Sequence, residues 1–183
     1  MSMDEIGAIH SAPSDAQVYG CLFCRTGKEK RIADEIKAEY PDVRVIFAEK
    51  LRKRRQGRSS VQETVPLFPG YLFFRTDADF DAPVLARRQD VFRLLRDGEG
   101  IWHLRGEDLT LALGLFRQDG VVGFSKAYYE GDRIRILDGL LKTYEGRIIR
   151  VNRRSQTAQI ALGVGGQEVT VWLGFELIER NEH

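Results

Sequence analysis

The residues most able to do chemistry in this chain are basic. Between residues 50 and 58 stand Lys50, Arg52, Lys53, Arg54, Arg55 and Arg58, with no acidic residue interleaved. Self-repelling charge at this density suits a polyanion, because each cation can neutralise a phosphate and release counterions. A second basic stretch holds Arg147, Arg150, Arg153 and Arg154, opposed locally by Glu145 alone. Other candidates are weaker. Cys21 and Cys24 have a metal-like spacing, but they fall in a strand-like run where positions i and i+3 face opposite sides. No second pair and no histidine cluster completes a tetrahedral site. His10, His103 and His183 are scattered. Gly163-Val164-Gly165-Gly166 lacks the Lys-Ser/Thr and the helix of a phosphate-binding loop, and reads as a hairpin turn. Nothing here supplies a nucleophile–base pair or a metal, so we expect no enzyme and no cofactor.

Aromatic residues form a further group: Tyr19, Phe23, Phe68, Tyr71, Phe73 and Phe74. Strand alternation places Tyr71 and Phe73 on one face and Leu72 and Phe74 on the other. A sheet with helices on one side needs one buried face, so surplus aromatics on the other make a protein-docking patch.

The elements that must carry these residues follow from pattern. Residues 1–17 lack periodicity and read as a flexible tail. Val18 to Cys24 suits a buried strand. Thr26-Gly27-Lys28-Glu29 fits a capping box, opening a helix with Ile32, Ala33, Ile36 and Tyr40 at helical spacing, which Pro41 stops. Val43 to Phe47 is strand-like. Lys50 to Arg58 reads as an exposed loop or hairpin tip, and Pro66 to Gly70 as a turn into a strand from Tyr71 to Phe74. Asp81 to Gln89 predicts a short helix. Val91 to Leu95 and Ile101 to Leu104 predict strands around a glycine turn, and Gly106 to Arg117 a longer helix. Residues 119–127 read as a linker. Beyond it come five short strands: Arg133 to Leu137, Gly146 to Val151, Ala158 to Leu162, Glu168 to Trp172 and Phe175 to Ile178. They predict a small barrel. The fold class is therefore α+β: a mostly antiparallel N-terminal sheet with helices over residues 18–118, then a β-barrel over 128–183.

Composition narrows the classes. The 183 residues carry a net charge of +1, so any case for nucleic acid must come from where charge sits. No apolar run reaches the roughly 18 residues of a membrane span. The opening residues have neither the basic start nor the apolar stretch of a secretory signal. Two cysteines are too few for a disulfide scaffold, which predicts a cytoplasmic location.

Three motifs resemble a known family. Tyr19 in the first strand, Arg25-Thr26-Gly27-Lys28-Glu29, and Leu67-Phe68-Pro69-Gly70-Tyr71 resemble the N-terminal domain of NusG-type transcription elongation factors. Glu130-Gly131-Asp132-Arg133-Ile134, Asp138-Gly139 and Tyr144-Glu145-Gly146-Arg147-Ile148 resemble a KOW motif, which forms an SH3-like barrel. Cys24 to Glu29, with Gly123-Phe124-Ser125-Lys126 before the barrel, is most similar to the LoaP antiterminator branch. The resemblance implies a monomeric processivity factor that sits on the clamp helices of RNA polymerase and suppresses pausing and termination. It implies that Tyr19, Phe68, Pro69, Gly70 and Tyr71 make that contact. It also implies a nascent RNA hairpin as partner, with Lys50 to Arg58 as the natural contact, and the DNA of the transcription bubble as a further neighbour. Tyr19 stands where many members have Trp, and the loop Gly163 to Gly166 lacks the bulky aromatic of ordinary NusG. The glycines from Gly139 to Gly174 oppose a helical alternative state for the C-terminal part. A free-standing RNA-binding module is the alternative reading, and it has no need of exposed aromatics.

Overall fold

The computed structural model describes residues 16–179. The expected tail lies outside the described residues up to Asp15, as do His10 and His183; Gln17 already opens the first strand. In chain order the elements are β1 (Gln17–Cys24), α1 (Glu29–Glu39), β2 (Arg44–Ile46), β3 (Glu49–Gln56), β4 (Ser59–Pro66) and β5 (Tyr71–Asp77). A 3-10 turn (Ala82–Arg87) leads to β6 (Val91–Leu94), α2 (Gly106–Arg117), β7 (Val121–Val122), β8 (Ser125–Glu130) and β9 (Arg133–Ile136). The chain closes with α3 (Gly139–Thr143), β10 (Ile148–Asn152), β11 (Thr157–Val164) and β12 (Gln167–Leu177). No helix among the described residues is long and apolar enough to cross a membrane.

Strand order is β2-β5-β1-β6 in the N-terminal sheet, which is antiparallel throughout. The C-terminal sheet runs β10-β11-β12-β8-β9 and curls, and β4-β3-β7 forms a third, smaller sheet. The N-terminal sheet is apolar on both faces. Leu22, Cys24, Leu72 and Phe74 pack on one side against Ile32, Ala33 and Ile36 of α1 and Leu85 of the 3-10 turn. Cys21 and Phe73 pack on the other against Leu111, Ala112, Leu115 and Phe116 of α2. That second cluster continues through α2 into Leu140 and Leu141 of α3 and Ile160, Leu162 and Phe175 of the C-terminal sheet. Gly114 lets the two halves approach, since a Cβ there would lie 2.9 Å from Leu140.

Several local expectations are corrected. Glu168 to Trp172 and Phe175 to Ile178 belong to one strand, β12; the glycine between them, Gly174, serves packing, because the Phe124 ring occupies the place of its Cβ. Residues 101–104 form no strand, although Leu104 N–H donates to the Tyr19 carbonyl. Within 119–127, Val121 and Val122 pair in parallel with Glu49 and Lys50, and β8 begins at Ser125. The span is strapped to the hairpin that precedes it rather than free.

Candidate polymerase and nucleic-acid interfaces

The Phe68-Pro69-Gly70-Tyr71 segment is a type II turn. Tyr71 N–H donates to the Phe68 carbonyl at 3.1 Å, proline stands second and glycine third, with Gly70 at φ 86°. That backbone needs glycine. A Cβ would also press on the Cys24 carbonyl at 3.1 Å and the Phe23 ring at 3.3 Å. Glu29 holds the turn. Its buried carboxylate accepts the Gly70 N–H at 2.8 Å through Oε1 and the Gly27 N–H at 2.7 Å through Oε2. The capping box is corrected accordingly. Thr26 makes no cap and α1 starts at Glu29, whose carboxylate reaches back to Gly27 and also holds the neighbouring turn. Arg25 pairs with Asp90 at 3.1 Å.

The turn presents its rings unequally. Phe68 is buried against Phe73, with centroids 6.2 Å apart, and Tyr19 is half-buried edge-on against Phe116 at 5.2 Å. Pro69 is exposed and Tyr71 half-exposed. Tyr71 stands opposite Phe23 across the β1–β5 pair, 5.3 Å between rings, and Phe23 meets Phe92 at 5.6 Å. Phe92 is 57% exposed, and the Arg93 guanidinium lies 5.4 Å over Phe23. So the accessible aromatic edge is Phe23, Tyr71 and Phe92. The sequence alone does not single out Phe92, because its place on an edge strand beside Phe23 follows only from the sheet order.

Cys21 and Cys24 are free, buried, and in the two opposite clusters. Burial pushes the Cys24 thiol up to about 11 and the Cys21 thiol well above its ordinary value. Both are core residues. The described residues contain no group of His, Cys, Asp or Glu fit to hold a metal.

Of the two readings of the basic run, the hairpin holds and the loop does not, and most of the run lies in a strand arm and not at the tip. Lys50 to Arg55 lie in β3, and only Gly57-Arg58 form the tight turn to β4. Gly57 has φ 63°, as a two-residue hairpin with glycine first requires. Pairing also supplies the acid missing from the local sequence. Glu63 sits opposite Arg52 in register, and its carboxylate takes both Arg52 and Arg54. Arg52, first by hydrogen bond, holds that carboxyl below its usual range. Lys53 meets Glu176 of β12 at 3.5 Å, and half-buried Lys50 turns inward to donate to the Trp172 carbonyl. Burial and then Arg52 lower the Lys50 pKa. Arg55 and Arg58 carry no ion pair among the described residues.

The second stretch divides. Arg147 pairs with Glu107 of α2, and Arg153 lies 4.2 Å over the Tyr129 ring and meets Asp132 at 3.3 Å. Arg150 is exposed on β10. Arg154, in the β10–β11 turn, faces the hairpin. An open groove of about 740 Å³ is lined by Lys53, Arg55, Ser60, Asn152, Arg154, Ser155 and Gln156. Residues a hundred positions apart therefore share one basic channel.

Known proteins are similar to this chain in sequence. The family model described as transcription termination factor nusG matches residues 19–111, just over half of the chain. The transcription termination/antitermination protein NusG of Synechocystis sp. is 28% identical over 163 residues, covering 81% of this chain and 76% of its own. A solved structure described as domain interaction in Thermotoga maritima NusG aligns with a TM-score of 0.49 at 17% identity, over 87% of this chain and 94% of the other.

Proposed function

Since the chain belongs to the NusG family of transcription termination and antitermination factors, we propose that it is a processivity factor of the LoaP kind. It binds the clamp helices of RNA polymerase, suppresses pausing and termination, and contacts a hairpin in the nascent RNA. The observation that carries the polymerase contact is the partly exposed aromatic edge of Phe23, Tyr71 and Phe92 beside the Phe68–Tyr71 turn. Rings packed on one another yet open to solvent suit a helical partner, and such anchors supply most of an interface's energy. Phe68 belongs to the buried cluster on which Phe23 and Tyr71 pack, Tyr19 lies further along β1 against Phe116, and Pro69 and Gly70 set the turn. The RNA contact is carried by the groove that joins Arg55 and Arg154, with Arg58 at the hairpin tip.

Tyr71→Ala should weaken binding to clamp helices by about 1–3 kcal/mol, measured by titration against the isolated helices, and should reduce terminator read-through in transcription in vitro. A leader hairpin on the same transcript should be required for read-through, and the same hairpin supplied on a separate RNA should not replace it, because tethering raises effective concentration. Polymerase binding unchanged in Tyr71→Ala and Phe92→Ala would return the reading to a free-standing RNA-binding module.

A further inference from the structure

Beside the basic groove lies a smaller and more enclosed cavity of about 200 Å³. Its apolar walls are Leu51 of β3, Phe124 and Trp172. Lys53, Ser155 and Gln156 line both the cavity and the groove, so the two adjoin. Its size admits one planar ring system and falls short of the roughly 300–1,000 Å³ of ordinary small-molecule sites.

We propose that this cavity holds one unpaired nucleobase of an RNA whose phosphates lie along the groove. The inference rests on the RNA-binding reading above and specifies what that surface recognises. A nucleotide presents a flat apolar face beside an anion, and here an aromatic-walled cavity opens beside Lys53, Arg55 and Arg154. The walls are set in advance. The Phe124 ring lies on Gly174, where a Cβ would come within 2.4 Å of it, and the Lys53 ammonium stands 4.9 Å from the ring centroid. Lys50 ties the hairpin to the Trp172 carbonyl and closes the cavity from the β3 side. On the rim, Gln156 adopts φ 51°, a left-handed backbone that a non-glycine residue rarely holds. Ser155 and Thr157 share a hydrogen bond of 2.8 Å between their hydroxyls, each keeping capacity for a base edge. A continuous duplex keeps its bases stacked inside and cannot fill the cavity. A single strand or a loop can, since unstacked bases settle on aromatic side chains.

The test uses three RNA probes of equal length with the full chain: an oligoadenylate, a chain of abasic riboses, and a blunt duplex. Binding is followed by anisotropy across a salt series, and by Trp172 emission in a Trp102→Phe background. The oligoadenylate should bind at least about fivefold more tightly than the abasic chain, within the range of one base–aromatic stack, and it alone should quench Trp172. Salt slopes of the two should match. Phe124→Ala should erase the difference between them and leave abasic binding unchanged. Equal binding of oligoadenylate and abasic chain by the unmutated protein, without quenching, overturns the base pocket and leaves the phosphate groove standing. A duplex that binds as tightly as the oligoadenylate overturns it as well. Failure of every probe to bind at low salt removes the RNA-binding reading together with the pocket.

Discussion

The aromatic edge and the basic groove are built in opposite ways. The edge belongs to one sheet: Phe23, Tyr71 and Phe92 stand on three neighbouring strands over a buried core, and Glu29 ties the Phe68–Tyr71 turn to the start of α1 by accepting the Gly70 and Gly27 N–H groups. The groove is a juncture. Its hairpin side and its turn side are brought together by Lys50 on Trp172, Lys53 near Glu176, and β7 laid along β3. A surface made inside one core tolerates change elsewhere. A surface made between two parts depends on every contact that seats them.

Glu29→Ala should have the largest effect on this contrast. It leaves the buried Gly70 amide without a partner, and the loss should be about 2–3 kcal/mol in denaturant unfolding. Clamp-helix affinity should fall with it while the RNA salt slope stays as it was. Glu29→Gln, which keeps an acceptor oxygen, should lose less. If both variants match the parent, the glutamate does not organise the edge.

The groove should respond to which cations are removed, not only how many. Neutralising Arg55, Arg58 and Arg154 to glutamine should lower the log–log salt slope by roughly 0.7 for each phosphate left without a cation. Neutralising Arg52 and Arg54, already engaged by Glu63, should lower it less. Equal slopes for the two sets would show that the hairpin acts as a diffuse charge instead of a shaped channel.

The smallest effect concerns the seating of the C-terminal sheet on α2. Burial raises the carboxyl pKa of Asp108 more than the Gly165 N–H lowers it, and Glu107 adds to the rise. A carboxyl whose folded value exceeds its unfolded one holds more protons when folded, so stability falls as pH rises from the ordinary carboxylate range through the raised value, and is level above it. Asp108→Asn should flatten that segment of the stability–pH curve, by less than about 1 kcal/mol because the site is half open to water.

Much of this was legible in the chain. The strand from Val18, the helices at Glu29 and Gly106, the proline–glycine turn and the opposite facing of Cys21 and Cys24 are local matters of period and turn chemistry. What escaped was non-local. Glu63 neutralises Arg52 only because the hairpin register sets them opposite, and Glu29 resembles a helix cap until Gly70 is brought beside it. Gly174 looks like a strand break when the ring that occupies its side-chain space is out of view. Phe92 is one of many apolar residues until its strand is known to be an edge. The groove itself cannot be read along the chain, since Arg55 and Arg154 meet only when both halves have folded.

The parallel pairing of β8 with β12 sets an order of assembly during synthesis. Ser125, Lys126 and Ala127 take Phe175, Glu176 and Leu177 as partners, so the first strand of the C-terminal sheet waits for the last. Some fifty residues must be added in between, roughly 3–10 s at ordinary elongation rates. Through that interval β8 and β9 can form their hairpin, but the other edge of β8 stays open. Trp172 and the groove behind it come into being only at the close. A truncated or stalled chain would present the aromatic edge with the basic channel still missing.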